Sequence, residues 1–212
     1  MSDAGKKQTW NTEKRQIWEE KLRQNPEFYD CIRDLLEHPA VLAMKQFPHH
    51  ADVTCYDHCL NVAYYNYEIC RLFGLNAVAA ARAGMLHDLF LYDWHTHARK
   101  TGERFHGLTH PRAALQNAQR YFKLSPLEQD IILKHMWPLT FVPPRYPEAY
   151  VICMTDKYSG AREVADYYAG KVRPPKLRPL WGYRSMYRWA ARWLPPAVKK
   201  PEGEKQKSSG DE

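Results

Sequence analysis

Residues 76–94 read NAVAAARAGMLHDLFLYDW, and this stretch decides the fold. Asn76 can cap a helix, and the alanine run after it predicts one from Ala77 to Leu86, with Gly84 allowing a neighbouring helix to approach closely. The pair His87-Asp88 then falls at the end of a buried helix and points inward, with apolar residues on either side. A buried carboxylate must be hydrogen-bonded, paired with a charge or bound to a metal ion.

The rest of the chain also reads as helix. Pro, Gly and capping residues divide it at the Asn25-Pro26 break, at Gly74 and at the Ser125-to-Glu128 capping box. Helices are predicted over residues 12–24, from Pro26 to about His38, 55–73, 77–86, from His110 onward, from Ser125 to His135, from Glu148 to about Gly160, and 181–194. Since no strand pattern is convincing, the sequence predicts an all-α helical bundle.

Length and composition predict one domain with flanking segments. We expect a disordered N-terminus over residues 1–10, a helical domain over 11–170, a basic aromatic segment over 171–200, and a disordered tail over 201–212. The chain contains neither a run of about 18 apolar residues nor a secretory h-region, which predicts a cytoplasmic protein without a transmembrane segment.

Positive charge is concentrated in the basic aromatic segment. The net charge of the chain is +7, and no acidic residue occurs between Lys171 and Lys200. The simplest interpretation is a C-terminal helix that docks its aromatic side chains on the bundle. The alternatives are contact with RNA, through phosphate contacts and stacking, or with an anionic membrane surface.

Further His and Asp residues that could bind a metal ion occur before and after His87-Asp88 in the sequence. Roughly one helix plus a loop separates each from the next. A single histidine on a helix is usually a core or surface residue, and a buried aspartate can instead pair with an arginine or a tyrosine. Imidazole and carboxylate groups from several helices are nevertheless what a bundle needs to bind a divalent metal ion. The complete candidate set is His58, His87, Asp88, His110, His135 and Asp156.

The order His, His-Asp, His, His, Asp resembles the HD-domain superfamily of metal-dependent phosphohydrolases, in particular small bacterial members of the HDIG-like type. The similar segments are Tyr-Asp-His-Cys-Leu at 56–60, Gly-Met-Leu-His-Asp at 84–88, Thr-His-Pro-Arg-Ala-Ala at 109–114, Lys-His-Met-Trp-Pro-Leu-Thr at 134–140 and Thr-Asp-Lys-Tyr at 155–158. The resemblance extends over about residues 50–165 and implies an all-α HD-type bundle.

The resemblance also implies roles for the six residues. His58, His87, Asp88 and Asp156 would form one metal site, and His110 and His135 would complete a second, with Asp88 bridging the ions. His87 and Asp88 would be the catalytic pair, and a hydroxide bridging two divalent ions (Fe, Mn, Co, Ni or Zn) would attack phosphorus. The implied substrate is a nucleotide or a similar small phosphate ester.

Some family features are absent. A lysine that follows His-Asp in many two-metal members is replaced by an apolar run, and the motifs of cyclic-di-GMP phosphodiesterases and guanosine-tetraphosphate hydrolases are missing. The nearest resemblance is to diadenosine tetraphosphate hydrolases and small nucleotidases. The alternative function is a non-catalytic module that senses a nucleotide or binds a partner protein.

Other residues near the predicted ligands are candidates for binding phosphate. Arg112, Lys157, Arg162 and His106 are the predicted substrate-binding residues, since guanidinium, ammonium and imidazole groups all bind phosphate oxygens. Four further histidines are expected to be ordinary loop residues: His49, His50, His95 and His97. The alternatives for His95 and His97 are phosphate binding, proton donation to a leaving oxygen or an extra contact with a metal ion.

Overall fold

The computed structural model describes residues 16, 18–49, 53–93, 102 and 105–171. Within these ranges the protein is helical and contains no strand; Pro48 and Thr54 form an isolated antiparallel bridge. The predicted all-α class is therefore confirmed. None of the described helices combines the length and hydrophobicity that a membrane crossing requires.

Several predictions fall outside the described residues. They concern the terminal segments 1–10 and 201–212, the basic segment beyond Lys171 with its predicted helix 181–194, and the histidines at positions 50, 95 and 97.

The described helices are numbered in the order in which they occur along the chain. Helix α1 covers residues 18–24, and the others are α2 (Pro26–Leu36), α3 (Pro39–Ala43), a 3-10 turn (Met44–Gln46), α4 (Cys55–Leu72), α5 (Ala77–Leu86), α6 (His106–Tyr121), α7 (Pro126–Lys134) and α8 (Pro147–Lys171).

The predicted helix ends are present where local chemistry specifies them. The Asn76 side chain accepts a hydrogen bond from the Ala79 amide at the start of α5. Ser125 and Glu128 form a reciprocal capping box at the start of α7. Gly74 follows α4 with a φ of 68°, in the left-handed region that glycine adopts without strain.

Two predicted boundaries were wrong. Helix α6 begins at His106 rather than at His110, so Pro111 lies in its second turn, where it removes one backbone hydrogen bond without ending the helix. Helix α8 continues past Gly160 to Lys171, because residues 161–169 are mostly good helix formers that outweigh a cost of about 1 kcal/mol for one glycine.

Helices α4 and α5 form the centre of the bundle. Helix α8 packs against α4 and α7, and α5 also contacts α2 and α7. Gly84 permits the close approach of α5 to α4, since a Cβ at this position would lie 2.8 Å from the Ala63 Cα. Fully buried apolar side chains surround this centre, among them Phe28, Ile32, Leu35, Met85, Leu86, Ile131 and Ile152.

Candidate metal centre

The six predicted ligands meet in the interior of the bundle, although they are spread over about a hundred residues of sequence. The five that precede α8 are buried, and Asp156 on α8 is 14% exposed. Five parts of the helical framework present them: α4 presents His58, the end of α5 presents His87 and Asp88, α6 presents His110, the end of α7 presents His135, and α8 presents Asp156.

Backbone carbonyl groups orient three of the histidines in the same way. In each case the ring Nδ1 lies 2.8 Å from a carbonyl oxygen three or four residues earlier in the chain. Because a carbonyl only accepts, Nδ1 carries a proton in all three rings, and Nε2 carries the lone pair whenever the ring is neutral. The three pairs are His87 with Gly84, His110 with His106, and His135 with Ile132.

The lone pairs of two of these rings face each other. The Nε2 atoms of His110 and His135 are 2.8 Å apart, and they lie 3.3 and 3.6 Å from Asp88 Oδ1. Two lone pairs at this distance repel unless a proton or a cation lies between them. The arrangement therefore requires a positive charge next to Asp88 Oδ1.

The other carboxylate oxygen of Asp88 faces a second group of ligands. Asp88 Oδ2 is 3.6 Å from His87 Nε2, which in turn lies 3.7 Å from Asp156 Oδ1. His58 Nε2 is 3.1 Å from the same Asp156 oxygen. Asp88 thus stands between two sets of imidazole nitrogens and directs one oxygen at each.

The donor set fits a metal cation. Within the described chain, His87 Nε2 and Asp88 Oδ1 are buried without a hydrogen-bond partner, which is costly unless another species satisfies them. Two of the clusters compatible with one ion are formed by these ligands alone: His58, His87 and Asp156, and His87, Asp88 and His135. Imidazole and carboxylate donors together suit borderline divalent ions.

The pKa shifts show how strongly these buried groups interact in the absence of an ion. Burial would lower the pKa of His58, but hydrogen bonds to Asp156 and Glu163 outweigh it and hold that pKa well above the usual value. Burial would raise the pKa of Asp88, but the neighbouring His87 charge, the close contact with His110 and the hydrogen bond to His49 hold that pKa well below its usual value. Burial, with the charges of His110 and His87, lowers the pKa of His135 to about 3.

Two further side chains belong to this cluster, and sequence reasoning missed both. His49, expected to be an ordinary loop residue, is buried, with Nε2 3.1 Å from Asp88 Oδ2. Its ring stacks on His58 at 3.8 Å between centroids. Glu163 is also buried and places both carboxylate oxygens 3.1 Å from His58 Nδ1. His49, His58 and Asp88 form a third group compatible with one ion.

The missed residues depended on structure that the sequence pattern did not indicate. His49 lies in the loop before α4, and this loop is held by the Pro48–Thr54 bridge and by a hydrogen bond from the His49 amide to the Val53 carbonyl. Glu163 lies beyond Gly160, where the helix was predicted to end. Its position seven residues after Asp156 was the available signal, because seven residues are nearly two helical turns.

Two of the predicted substrate-binding residues adjoin the cluster. The His106 ring stacks on His110 at 4.6 Å, and its Nδ1 is 3.1 Å from the Tyr92 hydroxyl. Lys157 is exposed and donates hydrogen bonds to the carbonyl groups of His135 and Cys153.

The other two predicted substrate-binding residues lie elsewhere. Arg162 is exposed and donates a hydrogen bond to the Tyr65 hydroxyl, and it also lies 3.6 Å from Asp166. Arg112 lies on a cavity of about 690 Å³, a volume typical of small-molecule sites. Tyr92, Gln116 and Lys134 also line this cavity.

Comparison with known proteins gives one match. A family model described as the HD domain matches residues 55–161, which is more than half of the chain. No curated protein and no solved structure matches the chain. The matched region contains all six predicted ligands, while His49 and Glu163 lie just outside it.

Proposed function

Because the chain belongs to the HD domain family, which indicates the superfamily of metal-dependent phosphohydrolases, we propose that it hydrolyses a nucleotide or a similar small phosphate ester. The observation that carries the proposal is the position of Asp88. Its two carboxylate oxygens face two separate sets of imidazole nitrogens, as expected for a carboxylate that bridges two ions.

The proposed ligands divide into two groups around Asp88. One ion would be held by His58, His87, Asp156 and Asp88 Oδ2, and the other by His110, His135 and Asp88 Oδ1. Thiolate ligands are not proposed, since burial raises the pKa of the neighbouring Cys59 well above its usual value and keeps this thiol protonated. Nitrogen and oxygen donors suit Fe, Mn, Co, Ni or Zn.

Two bound divalent ions would lower the pKa of a bound water toward about 7 and would neutralise charge on the phosphoryl oxygens. The residues of the chain prepare this chemistry by orientation. Carbonyl hydrogen bonds fix the rings of His87, His110 and His135 with Nε2 toward the centre. The low pKa of His135 keeps its ring neutral, which a metal ligand requires.

The cavity beside Arg112 supports an anionic substrate with an apolar or aromatic portion. Arg112 and Lys134 supply positive charge, while Tyr92 and Leu133 supply apolar surface. Tyr92 also connects this wall to the cluster, because its hydroxyl contacts His106, which stacks on His110. We propose that Arg112, His106, Lys157 and Arg162 contribute to substrate binding, with the first two closest to the cavity wall.

The proposal is tested by metal content and hydrolysis. We expect wild-type protein reconstituted with Mn²⁺, Co²⁺ or Zn²⁺ to hold two equivalents of metal and to hydrolyse members of a nucleotide and phosphoester panel. The double variant His110→Ala with His135→Ala should hold one equivalent and lose hydrolysis. Arg120→Ala, an exposed change on α6, is the matched control and should keep both properties.

The alternative function, a nucleotide-sensing module, predicts a different outcome of the same experiment. Metallated protein that binds nucleotides tightly but hydrolyses none of the panel would refute the phosphohydrolase and favour the sensor. An equal metal content in wild type and double variant would refute the assignment of the second ion to His110 and His135.

A further inference from the structure

Glu163 is a buried carboxylate just behind the proposed metal ligands. It lies on the same face of α8 as Asp156, two turns further along, and is 8% exposed. Its oxygens accept from His58 Nδ1 at 3.1 Å and from the Asn61 amide at 3.4 Å. Glu163 Oε2 also lies 3.8 Å from His49 Nδ1.

The partners of Glu163 distinguish it from an ordinary buried ion pair. Its described contacts within 4 Å are imidazoles and an amide, whereas the usual partner of a buried carboxylate is an arginine or a lysine. Each imidazole then reaches a different proposed ligand carboxylate through its other nitrogen. His58 Nε2 reaches Asp156, and His49 Nε2 reaches Asp88.

The hydrogen bond to Glu163 determines how His58 can act. A carboxylate accepts, so it favours the proton on Nδ1 and leaves the Nε2 lone pair turned toward Asp156 and the proposed ion. At His58 the Glu163 carboxylate lies beside Nδ1, the position that a backbone carbonyl occupies at the three other ligand histidines. A charged acceptor also makes the ring a stronger electron donor.

His49 fits an orienting role better than direct coordination of the ion that His58 would hold. Its ring is stacked on His58, with an angle of 22° between the planes and 3.8 Å between the centroids. Nearly parallel rings direct their nitrogens along parallel lines rather than at one point. His49 can therefore hold Asp88 Oδ2 through Nε2 while His58 directs its own Nε2 at the ion.

The charges of the cluster also favour a role for Glu163. Asp88, Asp156 and Glu163 place three carboxylates around the proposed ions, each next to an imidazole nitrogen. Two divalent ions bring four positive charges. The third carboxylate lowers the excess of positive charge from two to one, which reduces the cost of placing both ions in a buried site.

We propose that Glu163 is a positioning residue of the metal centre, which orients His58 directly and places its negative charge beside His49, the ring that contacts Asp88. The inference rests on the proposed metal function. It adds His49 and Glu163, which lie outside the matched HD region (residues 55–161), to the residues that form the metal centre.

The test compares two neutralised carboxylates on one helix in the full-length protein. Glu163→Gln removes the acceptor of His58, and Asp166→Asn removes an exposed carboxylate three residues away that pairs with Arg162. Co²⁺ affinity is measured by competition with a chromogenic chelator, and coordination by the visible absorption spectrum of the Co²⁺ protein. We expect Glu163→Gln to bind Co²⁺ about 10- to 100-fold more weakly with an altered spectrum, and Asp166→Asn to match wild type.

Wild-type affinity and spectrum in Glu163→Gln would overturn the inference. If that variant does not fold, as judged by circular dichroism, His49→Gln supplies the second test: it should keep the full number of Co²⁺ equivalents at reduced affinity. Loss of an equivalent would make His49 a ligand and would overturn its orienting role. Wild-type protein that binds Co²⁺ but hydrolyses no phosphoester would refute the proposed function alone, because no readout here depends on hydrolysis.

Discussion

Replacement of Gly84 by alanine tests how the packing of α4 and α5 supports both the fold and the site. The added Cβ would lie 2.8 Å from the Ala63 Cα and 2.9 Å from the Asn66 Nδ2. Both distances are well short of an ordinary van der Waals contact. Since the Ala63 atom belongs to the backbone, α5 must move away from α4, and the Asn66 amide must rotate.

The expected loss of stability can be worked out from these contacts. Overpacking of a core costs about 1–3 kcal/mol. Displacement of Asn66 also weakens its buried hydrogen bonds with the Ala80 carbonyl and the Thr155 hydroxyl, at 3.4 and 2.6 Å. Alanine recovers about 1 kcal/mol of helix propensity relative to glycine. We therefore expect a net loss of about 2 kcal/mol, or a fall in Tm of roughly 4–8 °C for a chain of this length.

The assay is thermal and urea unfolding of the full-length protein in excess chelator, with Gly107→Ala as the matched control. A Cβ at Gly107 would meet only the ends of flexible side chains, Leu139 Cδ2 at 3.1 Å and Met136 Cε at 3.7 Å. The control should be neutral or stabilised by up to about 1 kcal/mol. A Gly84→Ala protein as stable as wild type would refute the argument that the close helix approach limits this position.

Two further predictions concern protons and capping. The pKa values of His58 and His110 are raised in the metal-free protein, so both rings hold protons that metal binding must expel; apparent affinity should rise with pH, by up to about tenfold per unit for each proton released. Competition titrations at several pH values measure this, and a flat profile would contradict it. Asn76→Ala removes the acceptor of the Ala79 amide and should lower the free energy of unfolding by about 1 kcal/mol. An unchanged urea midpoint would show that the cap contributes nothing.

The parts of the fold that sequence reasoning predicted correctly are those that local chemistry determines. The capping box at Ser125, the cap at Asn76 and the glycine at Gly74 each fix a helix end through neighbouring residues, and each was found as predicted. The two wrong boundaries, at Pro111 and Gly160, were places where a residue usually disfavours a helix. There the flanking residues sustain the helix, and a local rule cannot weigh that contribution.

The same distinction applies to the candidate site. His87 and Asp88 are recognisable because a polar pair within an apolar run is buried with its neighbours and must then bind a partner. Glu163 lies between Arg162 and Val164, outside any long apolar run, and is buried only because α8 continues past Gly160 and packs against α4. His49 is buried only because its loop folds back through the Pro48–Thr54 bridge. Their roles depend on contacts about 100 and 40 residues away in sequence, which no local pattern encodes.

The ends of α5 and α7 explain why the ligands can be oriented before an ion binds. The last carbonyl groups of a helix lack intrahelical partners. His87 and His135 both occupy the C-cap position, and each donates its Nδ1 proton to the carbonyl three residues back. The same hydrogen bond therefore satisfies a helix terminus and turns Nε2 toward Asp88. Because both helices are held by the hydrophobic core, a ring can leave this orientation only if a capping hydrogen bond breaks or a helix moves. Orientation of these two ligands is thus a consequence of helix packing. The Gly84 carbonyl accepts a hydrogen bond from His87, so disruption of the packing at Gly84 should directly change the orientation of this ligand.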